Sequence, residues 1–213
     1  MLAALAHTIL ASADTGEHRR DHVPWTPDRE REDHALAARI RAGDEHAFRA
    51  LMHAYFGRLA RFTYSIVGTR DLADDIAQDV LASVWEQRED WHPERSIKTY
   101  LFSAARYRAL NELRHRAVRA KSAPLIEVAM TERSDTPDVH EQLTVDVAVA
   151  RLRVAVAQLS ERRQTALRLR YEEGLTYPAI AAILGVSVKS AEQLVALSIQ
   201  TLRTALGVSK PNR

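Results

Sequence analysis

An all-helical chain in two domains is what the sequence predicts, on three observations. Beyond Asp33 the apolar residues recur at spacings of three and four almost without interruption, and no stretch alternates with period two long enough to be a strand. Between Ser122 and Val147 this periodicity fades, and Pro124 and Pro137 stand there with six acids (Glu127, Glu132, Asp135, Asp138, Glu141, Asp146) against one base, Arg133. With hydrophobic residues at 46% and charged residues at 27% of 213, the chain matches soluble globular averages and can bury a core. The expected layout is a flexible leader over 1–33, a helical domain over 34–121, a flexible acidic linker over 122–148, a smaller helical domain over 149–207 and a tail over 208–213.

The leader opens with MLAALAHTILASA, which ends in small residues as a signal peptide does. It has no Lys or Arg ahead of its apolar stretch, so export is not expected. From Asp14 to Asp33 charge, His and Pro dominate, and the apolar residues are too sparse for a helical face. The first long helix is predicted from Asp44 to Val67, where Phe48, Leu51, Met52, Tyr55, Leu59, Phe62 and Ile66 form a broad apolar stripe ended by Gly68. A second follows on Leu72, Ile76, Val80 and Val84 at i+4 spacing, widened by Leu81 and Trp85, and stops near Asp90 ahead of Pro93. A third runs from about Ser96 to Ala120. Helical periodicity resumes from about Val149 to Leu206, broken at Gly174 and Gly185. No apolar run approaches the roughly 18 to 20 residues needed to cross a bilayer, so no membrane insertion is expected.

Several chemistries close early. Without cysteine there is no disulfide framework, no thiolate nucleophile and no Cys-containing zinc site. No HExxH, Gly-rich phosphate loop or nucleophile elbow is present, so no catalytic residue, cofactor or metal site is assigned. The formal charge is only +2, and any affinity for nucleic acid must come from local clustering.

Three local patterns carry the functional signal, and one of them is such a basic cluster. Tyr177 to Leu194 fits a helix-turn-helix: Ala181 is small where two helices approach, Gly185 takes the turn, Ser187 caps the second helix, and Ile180, Leu184, Val186, Ala191 and Leu194 provide the shared core. The outward positions of the second helix are Lys189, Ser190, Glu192, Gln193, Ala196, Leu197 and Gln200, with a single cation among them. The helix from Ser96 to Lys121 carries seven cations (Lys98, Arg106, Arg108, Arg114, Arg116, Arg119, Lys121) against Glu112, interleaved with Tyr100, Phe102 and Tyr107. Rings beside cations suit single-stranded DNA, because bases stack while the backbone is neutralised. The helix before it is opposite in charge: Asp71, Asp74, Asp75, Asp79, Glu86, Glu89 and Asp90 meet only Arg88. Such a face repels DNA and suits either solvent or a basic protein partner.

In this order the motifs AFRALMHAY (Ala47–Tyr55), DLADDIAQDVLASVWE (Asp71–Glu86), TYLFSAARYRALNELRHR (Thr99–Arg116) and LSERRQTALRLRYEEGLTYPAIAAILGVS (Leu159–Ser187) resemble the extracytoplasmic-function group of sigma-70 family RNA polymerase sigma factors. The resemblance covers about Asp44 to Leu206. It implies a region 2 helical bundle and a region 4 helix-turn-helix, no enzymatic activity, and work in the bacterial cytoplasm in transcription initiation. The implied partners are core RNA polymerase through its clamp and flap, promoter DNA in duplex and single-stranded form, and an anti-sigma factor, with no small-molecule substrate.

By the same resemblance Asp71, Asp74, Asp75, Gln78, Asp79, Trp85 and Glu86 would bind the polymerase clamp. Trp91, Lys98, Tyr100, Arg106, Tyr107, Asn111, Arg114 and Arg116 would bind and open the minus-10 element, with Trp91 and Tyr107 stacking on bases. The acidic linker would thread the polymerase's RNA path, and Thr176, Ser187, Lys189, Ser190, Gln193 and Gln200 would meet the minus-35 element. The sequence departs from the pattern at Tyr107, where Asn usually stands, and at Asn111, where an acid usually stands, so the family's minus-10 base preference does not carry over. It departs also at Leu197, where an Arg usually faces DNA, and at Ala179, where an acid usually closes a capping box with Thr176. Weak DNA binding by the second domain alone is therefore expected.

Two rival readings remain open on the residues alone. One is a helix-turn-helix regulator that is not a polymerase subunit. The other is a hydrolase using Asp74, Asp75 and Asp79 with a divalent metal.

Overall fold

A computed structural model describes residues 27–93, 96–122 and 143–207, and all regular structure among them is helical. The chain divides into two compact units, with the division at 136/137.

In the first unit, α1 (Pro27–Arg41), α2 (Glu45–Val67), α3 (Arg70–Glu86), a 3-10 turn (Arg88–Asp90) and α4 (Ile97–Ser122) follow one another. Asp44 caps α2, its side chain accepting from the backbone N–H of His46 and Ala47, and Gly68 ends it at φ 78°, a conformation that glycine adopts freely. The α2 stripe buries Leu51, Leu59, Phe62 and Ile66, while Ala73, Ile76, Ala77, Val80, Leu81 and Val84 are the buried face of α3. Phe62 meets Phe102 of α4 edge to face at 5.0 Å, so the three helices share one core. Within that core Thr63 is fully buried, and its hydroxyl reaches the carbonyls of Leu59, Ala60 and, across the helix pair, Ala73 at 3.0 Å.

The second unit contains α5 (Leu143–Ala157), α6 (Glu161–Tyr171), α7 (Tyr177–Leu184) and α8 (Val188–Ala205). Thr176 Oγ1 accepts from Ala179 N–H at 3.3 Å, so the α7 cap forms without the acid of a capping box. Gly185 follows at φ 64°, Val186 N–H bonds back to Ala181 O, and the helix axis turns through 101° into α8. That angle lies in the range of helix-turn-helix motifs. Ile180, Ala181, Leu184 and Ala191 are buried at the crossing, and Val186 and Leu194 are half-buried.

The structure corrects several boundaries. Residues 27–33, expected in the leader, are the first turns of α1, and the Asp33 carboxylate accepts from Ile97 N–H at 3.0 Å, a bond spanning 64 positions that no local pattern announces. α3 stops at Glu86 rather than near Asp90, because Arg88 folds back, donating to Trp85 O at 3.0 Å and covering the Trp85 ring. α5 begins at Leu143, inside the expected linker. A break at Gln158–Ser160, with neither Gly nor Pro, separates α5 from α6, and Gln164 Nε2 holds it by donating to Leu159 O at 2.8 Å. The rest of the expected leader, the linker acids from Glu127 to Glu141 and the tail lie outside the described residues.

Candidate nucleic-acid interface

The charged faces of the first unit lie on adjoining helices that pack together. On α3, Asp71, Asp75, Gln78, Asp79 and Glu86 are exposed and Asp74 is half-buried, all opposite the buried apolar stripe. None of these acids has an ion pair among the described residues, whereas α4 satisfies its single acid twice, Glu112 pairing with Arg116 at 3.2 Å and Arg119 at 3.0 Å. No group of three or more His, Asp or Glu among the described residues is arranged to hold a metal ion.

Trp85 departs from the expected docking set. It is half-buried against Phe48, ring centroids 4.8 Å apart, and holds α3 on α2 instead of standing with the acids.

On α4, Tyr107 is 65% exposed, the most open large hydrophobic side chain among the described residues. Arg114 lies near it on the same side and donates to Asn111 Oδ1 at 2.6 Å, while Arg116 is exposed beside Glu112. Lys98, Tyr100 and Arg106 are half-buried. Ser96 caps the helix, its hydroxyl accepting from Thr99 N–H at 3.1 Å.

Trp91 is corrected from a stacking residue to a core residue. Only 3% of it is exposed, Tyr100 meets its ring edge to face at 5.8 Å, and its indole N–H has no hydrogen-bond partner among the described residues. Arg41 of α1 donates to Trp91 O at 3.3 Å. Together with the Asp33–Ile97 bond this pins both ends of the segment before α4, of which residues 94 and 95 lie outside the described residues. Arg41 and Asp33 were missed in the sequence because their partners are 50 and 64 positions away.

In the second unit, Lys189, Gln193 and Gln200 are exposed on α8. Thr176, Ser187 and Ser190 also have structural duties: Thr176 caps α7, and Ser187 Oγ accepts from Ser190 N–H at 3.1 Å and lies 2.8 Å from Ser190 Oγ. Leu197 is 48% exposed, so it is indeed on the outward face and not in the core.

A helix-turn-helix, with a separate helical unit whose acidic and basic-aromatic helices adjoin, defines a transcription factor of two parts. The chain matches the family described as Sigma-70 region 2 over residues 51–119 and that described as Sigma-70, region 4 over 150–202, more than half of its length between them. It belongs to the sigma-70 family, in the extracytoplasmic-function group, and is an RNA polymerase sigma factor that directs the enzyme to promoters.

Among its relatives, RNA polymerase sigma factor CnrH of Cupriavidus metallidurans is 27% identical over 165 residues, 75% of this chain and 86% of that protein. ECF RNA polymerase sigma factor SigL of Mycobacterium tuberculosis is 27% identical over 173 residues, 78% of this chain and 92% of that one. Of solved structures, the sigma factor RpoE in complex with the anti-sigma factor NepR from Bartonella quintana shares the fold at a TM-score of 0.56 and 21% identity, over 76% of this chain and 98% of that one.

Proposed function

We propose that the first unit, within about residues 34–121, both docks on core RNA polymerase and opens the minus-10 element, and that the second, within about 149–207, contacts the minus-35 element. The observation that carries this is the separation of charge within one unit. Asp71, Asp74, Asp75, Asp79 and Glu86 stand on α3 without an ion pair among the described residues, and the basic, aromatic α4 packs beside them. An acidic face of this kind is complementary to a basic protein surface, and a basic face with an open ring suits a single strand. Gln78 belongs to the docking face; Trp85 positions it through Phe48.

Tyr107, Asn111, Arg114 and Arg116 are the strand-contacting set, with Lys98 and Arg106 at the backbone. Trp91 and Tyr100, packed edge to face, support the start of α4. On α8, Lys189, Gln193 and Gln200 face the duplex, and Thr176, Ser187 and Ser190 hold the two helices that present them. The protein acts on polymerase in the cytoplasm and carries out no chemical step of its own. Among the described residues no single helix is long and apolar enough to cross a membrane. The Bartonella relative's complex with an anti-sigma factor supports a similar inhibitor as a further partner here.

The test is a split between two assays. Arg106→Ala with Arg114→Ala leaves polymerase binding intact and impairs promoter opening, read by permanganate reactivity of unpaired thymines. Equal loss in both assays, or in neither, contradicts the division of labour.

A further inference from the structure

The exposed face of α8 has an unusual chemistry for a helix that reads DNA. Ala191, Val195, Ser198, Ile199 and Leu202 are buried and fix the rotation of the helix, so Lys189, Glu192, Gln193, Ala196, Leu197 and Gln200 face outward. No Arg occurs between Ser187 and Thr201, and Lys189 is the only cation there. Guanine is most often read by a bidentate Arg or Lys, so this face is poor in guanine readers.

What it offers instead matches the other base pair. Adenine presents N7 and N6–H₂ in the major groove, the pattern that a glutamine amide satisfies with its donor and acceptor together. Thymine presents a C5-methyl group, which an apolar side chain covers. Gln193, Leu197 and Gln200 fall at i, i+4 and i+7, on one stripe of the helix. At about 1.5 Å rise per residue, Gln193 and Leu197 are about 6 Å apart along the axis. With successive bases about 3.4 Å apart, that is a reach of one to two base pairs.

We infer that α8 reads A·T pairs in the upstream promoter element, Leu197 packing on a thymine methyl group and Gln193 hydrogen-bonding an adenine one or two base pairs away. This rests on the proposal that the second unit contacts the minus-35 element. Leu197 is then the residue that sets base preference, not a lost contact, and affinity is supplied by the rest of the holoenzyme.

The experiment uses the full chain with bacterial core RNA polymerase and selects promoters from a duplex library randomised over both elements. Each thymine of the selected upstream element is then replaced by deoxyuridine, which keeps base pairing and removes only the methyl group. An A·T-rich upstream element is expected, with one thymine whose replacement weakens binding about fourfold, as the loss of one buried methyl implies. Leu197→Ala should bind the thymine and deoxyuridine duplexes equally, and Leu197→Arg should shift selection at that position to guanine. Both variants change an exposed side chain, and circular dichroism verifies that their helices persist.

A guanine-dominated upstream element, indifference to deoxyuridine at every thymine, or discrimination retained by Leu197→Ala would overturn the inference. Selection of a downstream element with no upstream one removes the minus-35 assignment, and the inference with it, while leaving the first unit's role in place. Failure to bind polymerase or to select any promoter removes the wider proposal first.

Discussion

Tyr107→Ala isolates the stacking contribution of α4 without disturbing its core. At 65% exposure the ring makes no essential contact within the unit, and Ala is the better helix former, so stability should stay within about 0.5 kcal/mol of the native chain. If the ring stacks on one unpaired base of the non-template strand, its removal costs about 1 to 3 kcal/mol of binding, a weakening of roughly 5- to 150-fold. The assay is equilibrium binding of the reconstituted holoenzyme to a single-stranded non-template oligonucleotide, followed by fluorescence anisotropy, with duplex as the control. Tyr107→Phe, which keeps the ring, should bind within twofold of the native chain. Either of two results would exclude stacking by this ring: Tyr107→Ala binding as well as the native protein, or Tyr107→Phe failing as badly as Tyr107→Ala, which would put the hydroxyl and not the ring at the contact.

Other expectations concern how the docking face is held and how the fold responds to acid. Thr63→Val keeps shape but removes the hydroxyl that bridges α2 to Ala73 O of α3, and should lower the stability of the first unit by about 1 kcal/mol, read by urea unfolding at unchanged slope. The carboxyl of Asp44 is held below its ordinary value by the backbone N–H of Ala47, then by Arg39 at 2.8 Å. Because that value is depressed on folding, the cap contributes in full above the ordinary carboxylate range, and its contribution is lost as pH falls from that range through the depressed value. Asp44→Asn, which still caps but does not titrate there, should flatten the acid limb of a melting-temperature profile of the native chain. An unchanged acid limb would remove Asp44 from the account.

Much of the architecture could be read from the chain because it is local. The α2 stripe of Leu51, Leu59, Phe62 and Ile66 is buried where i+3 and i+4 spacing puts it, and the Ala181–Gly185–Ser187 turn forms where small size, positive φ and a cap coincide. The charge contrast between α3 and α4 survives for the same reason, since each helix writes its own face. What escaped detection depends on distant partners. Pro27 to Asp33 is too polar to form a helical face, yet it is helical, with Asp33 bound to Ile97 N–H.

Trp91 illustrates the same limit at the candidate site. A tryptophan beside a basic helix reads equally as a base platform or as core, and only the packing of Tyr100 and the Arg41 bond to its carbonyl, from another helix, decide for core. Ser187 and Ser190 were legible as polar residues on a reading helix, but their mutual hydrogen bond, which commits both to the cap, required the fold.

Polymerase docking through the exposed acids of α3 is the proposal on which the first unit's role depends. Its most direct test is co-elution of the purified chain with bacterial core RNA polymerase on a sizing column at moderate salt, beside a variant carrying Asp75→Lys and Asp79→Lys. Both positions are exposed and without an ion pair among the described residues, so the variant should fold as the native chain does. Each reversal replaces an attraction by a repulsion, at about 2 kcal/mol or more if the contact is desolvated, so the pair should weaken docking roughly a thousandfold. The native chain is expected to co-elute and the folded variant is not. Co-elution of both would move the docking surface away from α3, and co-elution of neither would contradict the assignment of a polymerase-binding face to this unit.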